Sequence, residues 1–261
     1  NVPGAITARN ARIMRQLAGR EDVPAHAGAD RPLVREPVGA GAFHGEGGIG
    51  DMVPFEPRLG NAPGEAAQAI VDLVMARPAG SVALAVMGPM TNLALALRLE
   101  PKLAAQLGGN ITASAEFNIY ADPEAAAEVL ASGCDVILFG LDATHQVRAT
   151  EARIAAIEAL DGAAARAAGE LLRFSQRVER EIVGWDAGPL HDPCTVAWLL
   201  KPELFELKPC RVEVETISDL TRGHTAVEFR VDAASARHRW AVKADGQGVF
   251  DLITESLERL P

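Results

Sequence analysis

The sequence predicts an α/β domain with a mainly parallel central sheet flanked by helices and a small antiparallel edge region near the C-terminus. Three observations carry that prediction. Residues 81–87 (SVALAVM) and 135–139 (DVILF) are short, nearly continuous apolar runs, the composition of strands covered on both faces. Around them lie segments of helical periodicity, so strand and helix alternate as in βαβ units. After Pro209 the pattern changes to period-two alternation. Open sheets of this kind bind ligands outside the carboxyl ends of their parallel strands, so chemistry is sought just after each apolar run.

Each element follows in order. Residues 7–17 place Ile13, Met14 and Leu17 at helical spacing, with Gly19 as a stop. Residues 23–27 are apolar enough for a short strand. Residues 39–51 (GAGAFHGEGGIGD) are too rich in glycine for a helix or central strand and read as loop. Pro54, Pro57, Gly60 and Pro63 prolong it to about residue 64, a length that is more often functional than not. Residues 65–76 read as a helix with Ala69, Ile70, Leu73 and Val74 inward. Gly88-Pro89 ends the first strand, and Thr91 or Asn92 can cap a helix running to about residue 107. Asp122-Pro123 opens another helix, with the proline suited to its first turn. Residues 150–160, 163–183, 191–200 and 249–260 are helical. Residues 211–215, 226–231 and 240–242 read as hairpin-like strands on an edge.

Composition narrows the function. With 261 residues, 48% of them hydrophobic and 23% charged, the chain reads as one soluble domain, residues 1–261. Its net charge of −10 repels polyphosphate, which argues against nucleic-acid partners. Cys134, Cys194 and Cys210 are odd in number and widely spaced, suggesting neither disulfides nor zinc; a reducing, cytoplasmic setting is expected. Nothing reaches the ~18 apolar residues of a membrane span, and Asn1-Val2-Pro3-Gly4 does not begin a signal peptide. The motifs G-x-S-x-G, G-x-x-x-x-G-K-[ST] and H-E-x-x-H are missing, so acyl transfer, Walker-type hydrolysis and zinc proteolysis lack support.

Four segments are candidates for chemistry. In Val86-Met87-Gly88-Pro89-Met90-Thr91-Asn92 a strand end turns into a helix; it reads as a capped turn, or as a turn aiming a backbone carbonyl at a hard cation. In residues 110–123 (NITASAEFNIYADP), Glu116 and Asn118 fall on one side of an extended segment and could grip vicinal hydroxyls. In Pro189-Leu190-His191-Asp192-Pro193 the adjacent side chains diverge by about 100°. Asp192 could then ligate a metal, or merely complement a helix dipole, while His191 supplies a proton. His44 in the glycine-rich loop is a binding candidate or a surface histidine on a mobile segment.

Taken in order, GPMTN, AEFNIYADPEAA, GLDATHQ and PLHDP closely resemble the inosine-uridine-preferring nucleoside hydrolase family. ADRPLVR (29–35), HGEGGIGD (44–51) and LTRG (220–223) resemble it too, and the likeness covers nearly the whole chain. It implies a parallel-centred α/β fold and cleavage of ribonucleosides to ribose and free base, through a calcium-bound water and an oxocarbenium-like transition state. Carried across, Asp192 and the carbonyl of Thr91, or that of Met90, become Ca2+ ligands. Asn1, His44, Asn110, Glu116 and Asn118 become substrate contacts, and His191 the group assisting departure of the base. A homodimer or homotetramer is also implied.

Two departures from the family pattern stand out. The N-terminal D-T-D-P-G-x-D-D cluster, source of most calcium carboxylates, is not in this sequence. Leu107-Gly108-Gly109-Asn110 also joins two segments that the family separates by an apolar strand. The expectation is therefore that residues of the natural protein are missing at the start and near 107–108. The alternatives are a non-catalytic sugar-binding relative, or a metal-assisted hydrolase of another glycosyl amine. Base preference is not readable: Phe174 and Trp185, the aromatics near residues 163–190, read more readily as packing than as base-stacking groups.

Overall fold

In the computed structural model of the chain, residues 2–113, 116–232 and 235–261 are described, residues 107–113 and 116 by their backbone alone. Helix α1 (Gly4–Leu17) is followed by a long irregular segment holding one helical turn, α2 (Gly41–His44), and then by α3 (Ala66–Met75). Strand β1 (Val82–Val86) leads to α4 (Thr91–Leu99) and α5 (Leu103–Gln106); β2 (Leu107–Ala113) leads to α6 (Glu116–Ala121) and α7 (Pro123–Ala131). Strand β3 (Val136–Phe139) precedes α8 (Leu141–Thr144), α9 (Glu151–Glu158), α10 (Ala163–Ile182) and α11 (Pro193–Leu200). The chain closes with β4 (Phe205–Val214), β5 (Thr225–Glu228), β6 (His238–Ala244) and α12 (Gly246–Leu257).

The sheet is mixed, in the order β1-β2-β3-β6-β4-β5. Strands β1, β2, β3 and β6 pair in parallel, whereas β4 runs antiparallel to both β6 and β5. Strand β3 explains why helices cover both faces. Its Val136 and Leu138 join one apolar cluster with Leu93, Leu103 and Val129; Ile137 and Phe139 join another with Ile154, Val249 and Phe250. That alternation is the period of a strand buried on two sides. Asp122 caps α7 by accepting from Ala125 N, with Pro123 in the first turn, and Asp245 caps α12 through Gln247 N and Gly248 N.

Several expectations are corrected. Residues 240–242 belong to β6, which lies inside the sheet between β3 and β4, not on an edge. Strand β1 is an edge strand, with Ala83 exposed, so it is not covered on both faces. Residues 23–27 form no strand. The helix expected to reach residue 107 ends at Leu99, and α5 passes directly into β2. Residues 107–113, where the sequence reading finds no strand, pair in parallel with both β1 and β3 as a central strand. The segment carrying Glu116 and Asn118 is helical rather than extended, so the argument that puts them on one side does not apply.

Candidate active site

The carboxyl ends of β1, β2 and β3 lie along one edge of the sheet and deliver the segments that carry Thr91, Asn118 and Thr144. Helix α11 packs against β1 and β2. The corner after β3 is built by the GLDATHQ segment, almost residue by residue. A Cβ on Gly140 would collide with the Trp240 indole, so glycine lets the turn into α8 lie against β6. Trp240 Nε1 donates to both carboxylate oxygens of Asp142, at 3.1 and 3.2 Å. Gln146 Nε2 donates to Asp142 O and Val242 O, and its Oε1 accepts from Ala244 N at 3.1 Å. These ties fix α8, and the fully buried Thr144 at its end meets His191 Nδ1 through Oγ1 at 2.8 Å.

His191 is held from its backbone side as well. Leu190 N donates to Val147 O and Ala149 N to Gly188 O, both at 2.8 Å, with an antiparallel bridge between Arg148 and Pro189. Arg148 fastens the two loops further: Nε reaches His145 O at 2.8 Å and Nη1 reaches Ala187 O at 3.0 Å. Its guanidinium lies 4.1 Å over the Trp185 ring. The His145 ring stands edge-on to Trp185 at 5.2 Å and tilted to His191 at 5.7 Å. Burial, then His145, Arg148 and His44, hold the His191 pKa down to about 4, so the ring is neutral at neutral pH.

Asp192 stands next in the chain with the opposite character. Its side chain does not cap α11, and its carboxylate accepts no hydrogen bond from a described residue. Burial alone pushes its pKa up to about 6. Such a carboxylate fits a cation ligand. Calcium, however, takes about six to eight oxygens, and among the described residues no group of three His, Cys, Asp or Glu side chains could hold a metal. The described donors do not complete a calcium site.

The turn after β1 is a different arrangement. Thr91 Oγ1 donates to Asp122 Oδ2 at 2.5 Å, and Leu33 N donates to the same oxygen at 2.9 Å. Asn92 Oδ1 accepts from Ala29 N at 2.8 Å. The side chains of GPMTN therefore lock the 29–35 segment and α7 to the sheet edge. Asn118, on α6, is buried at 7% exposure, yet its amide makes no hydrogen bond to another described residue.

His44 ends α2, exposed, with its pKa lowered chiefly by desolvation. Its loop is tied down: Gly50 N donates to His44 O at 2.9 Å, and Asn10 Nδ2 donates to Gly47 O at 2.7 Å. Gly50, at φ +60°, leaves no room for a Cβ beside Phe174. Among the described residues no hydrogen bond or ring contact joins the Thr91 group to the His191 group. His44 reaches His191 only through its charge. Asn1 and the side chains of Asn110 and Glu116 lie outside the described residues.

Sequence reasoning gave no role to Thr144, His145 or Arg148; the signal was the unexplained GLDATHQ itself. LTRG is explained by packing: Gly223, at φ +81°, brings the β4–β5 connection to Tyr120 of α6, where Arg222 lies 4.9 Å over the ring. A cavity of about 440 Å³ opens there, lined by Phe117, Tyr120, Thr221, Arg222 and His224 among others.

Comparison with known proteins agrees with this geometry. Residues 1–251 match the model of the family described as inosine-uridine preferring nucleoside hydrolase. An uncharacterized protein of Schizosaccharomyces pombe is 38% identical over 274 residues, spanning 100% of this chain and 88% of that one. The pyrimidine-specific ribonucleoside hydrolase RihA of Shewanella baltica is 39% identical over 268 residues, spanning 96% and 83%. A solved plant nucleoside hydrolase superposes with a TM-score of 0.89 at 27% identity, covering 99% of this chain and 87% of that one. The chain belongs to the inosine-uridine preferring nucleoside hydrolase family, enzymes that hydrolyse the N-glycosidic bond of ribonucleosides.

Proposed function

We propose that this chain hydrolyses pyrimidine ribonucleosides, uridine or cytidine, to ribose and free base. The base class rests on the relatives named pyrimidine-specific, which are 36–39% identical along 96–97% of the chain. The observation that carries the mechanism is the juxtaposition of an oriented neutral imidazole, His191, with a half-buried carboxylate, Asp192, that accepts no hydrogen bond from a described residue, at the sheet's carboxyl edge.

Cleavage breaks the bond from C1′ to the base nitrogen, and the electron pair leaves with the base. Positive charge grows on the ribose ring, and groups that favour this charge lower the barrier. A water oxygen bonds to C1′, and in the overall balance the water's proton ends on the base. With Nδ1 against Thr144, His191 offers Nε2 to the departing base. A neutral imidazole there stabilises developing negative charge by donating a hydrogen bond through Nε2–H, and the proton that the base finally carries comes from the attacking water. The open amide of Asn118 suits the ribose hydroxyls, together with Asn1, Asn110, Glu116 and His44 as the family resemblance implies.

We propose that Asp192 and the carbonyl of Thr91 would help to hold a Ca2+ ion, as the family resemblance implies, which when bound would supply the charge that orients and acidifies a water. A homodimer or homotetramer is proposed on family grounds alone, and a cytoplasmic setting on the three widely spaced cysteines. Ribose release from uridine, cytidine and inosine, with and without a calcium chelator, tests the reading. Uridine and cytidine should react faster than inosine, chelation should stop the reaction, and added calcium should restore it. Protein that binds calcium but releases no ribose from any of the three would refute it.

A further inference from the structure

We infer that Thr144 is a positioning residue for the hydrolysis: its hydroxyl occupies Nδ1 of His191, sets the plane of the ring and reserves Nε2 for the substrate. This rests on the reading that His191 assists departure of the base. Three observations carry the inference. Thr144 is fully buried, and its Oγ1 makes no other hydrogen bond to a described residue. The backbone on either side of the contact is already fixed. Thr144 N donates to Gly140 O at 3.0 Å, and the loop before His191 is laddered to residues 147–149. With both backbones held, what remains free is rotation of the imidazole about its own side-chain bonds. Among the described residues two groups constrain it, the tilted His145 ring at 5.7 Å and the Thr144 hydroxyl at 2.8 Å, and of these only the hydroxyl distinguishes one ring nitrogen from the other. A hydroxyl both donates and accepts. It therefore stays bonded to Nδ1 in either tautomer, and by donating to Nδ1 it leaves Nε2–H free to donate to the substrate.

The test compares Thr144→Val, Thr144→Ser and His191→Ala on two substrates. Uridine has a leaving group that gains from protonation; 4-nitrophenyl β-ribofuranoside releases a stable nitrophenolate that does not. Thr144→Val should lower kcat on uridine about 10- to 100-fold, with KM within about threefold, since misplacing a proton donor is felt in the transition state. Thr144→Ser should recover most of that loss, and the nitrophenyl riboside should be affected far less by either change. Equal losses on both substrates without rescue by serine would make Thr144 a scaffold residue and overturn the inference, as would unchanged kcat on uridine.

Nitrogen-15 spectra of the ring give a readout that needs no turnover. Thr144→Val should move the His191 Nδ1 resonance and Thr144→Ser should not; an unmoved resonance overturns the inference whatever the kinetics. If His191→Ala leaves uridine hydrolysis intact while Thr144→Val still moves that resonance, the role given to His191 fails and the catalytic part of the inference with it.

Discussion

The turns after β1 and after β3 sit on the same sheet edge and contain similar residue types, yet they treat their polar groups in opposite ways. At the first, the fully buried Asp122 receives Thr91 Oγ1, Leu33 N and Ala125 N, so its carboxylate is saturated by short bonds. Beside the second, in the loop before α11, Asp192 accepts no hydrogen bond from a described residue and its pKa climbs to about 6, while burial drives the adjacent His191 down to about 4. Burial without partners disfavours charge, and a structure tolerates that only where another group is to be bound. Saturation marks the scaffold; shortage marks the site.

That contrast fails first if Asp122 proves dispensable. Asp122→Ala would leave Leu33 N and Ala125 N without their acceptor and cut the tie to Thr91, so stability should fall by roughly 3–5 kcal/mol. An unfolding free energy from urea titration lowered by less than about 1 kcal/mol would show that the first turn is not held by this carboxylate.

Asp192→Asn should act in the opposite direction. In calcium-free protein at pH 7 it removes a half-buried charge that has no hydrogen-bond partner among the described residues, and stability should rise by about 1–3 kcal/mol while ribose release is lost. The sign follows from linkage. The folded pKa of about 6 lies above the unfolded carboxylate value, so the native state binds the proton more tightly. Wild-type protein therefore gains stability as pH falls through about 6 toward 4, whereas Asp192→Asn does not share that gain. The stability gap between the two should be widest near pH 7 and close by about pH 4, as thermal unfolding across that range would show. A gap independent of pH would mean that Asp192 finds a partner in the folded protein.

Legibility followed the same division. Local signals were readable: Asp122-Pro123 announced a helix start because cap and first turn are adjacent in the chain. The apolar run at 136–139 announced β3 because both its faces are buried. Strand β2 was not readable, since Gly108 and Gly109 carry none of the side chains that mark strands. Strand β6 was misplaced because alternation reports one polar face, and His238, Arg239 and Trp240 mimic an edge while lying beside β3. The motif string located His191 and Asp192 but not why they differ. Thr144, 47 residues before His191, reaches it only through the fold, and Leu33 reaches Asp122 across 89 residues.

Thr91 allows the smallest and sharpest test, because it belongs to the saturated turn by its side chain and is expected at the site through its carbonyl. Thr91→Val removes one of the three donors to Asp122 and should cost about 1–2 kcal/mol, less than removing the carboxylate, because two backbone N–H groups remain. The backbone carbonyl survives, so kcat on uridine should stay within about threefold. Thr91→Ser, which keeps the hydroxyl, should recover most of the stability, its buried site losing only a methyl group. A Thr91→Val protein with unchanged stability and a large loss of kcat would move the hydroxyl from scaffold to chemistry. The two turns would then be one site joined across β2, and hydrogen-bond saturation would no longer separate what holds the fold from what acts on the substrate.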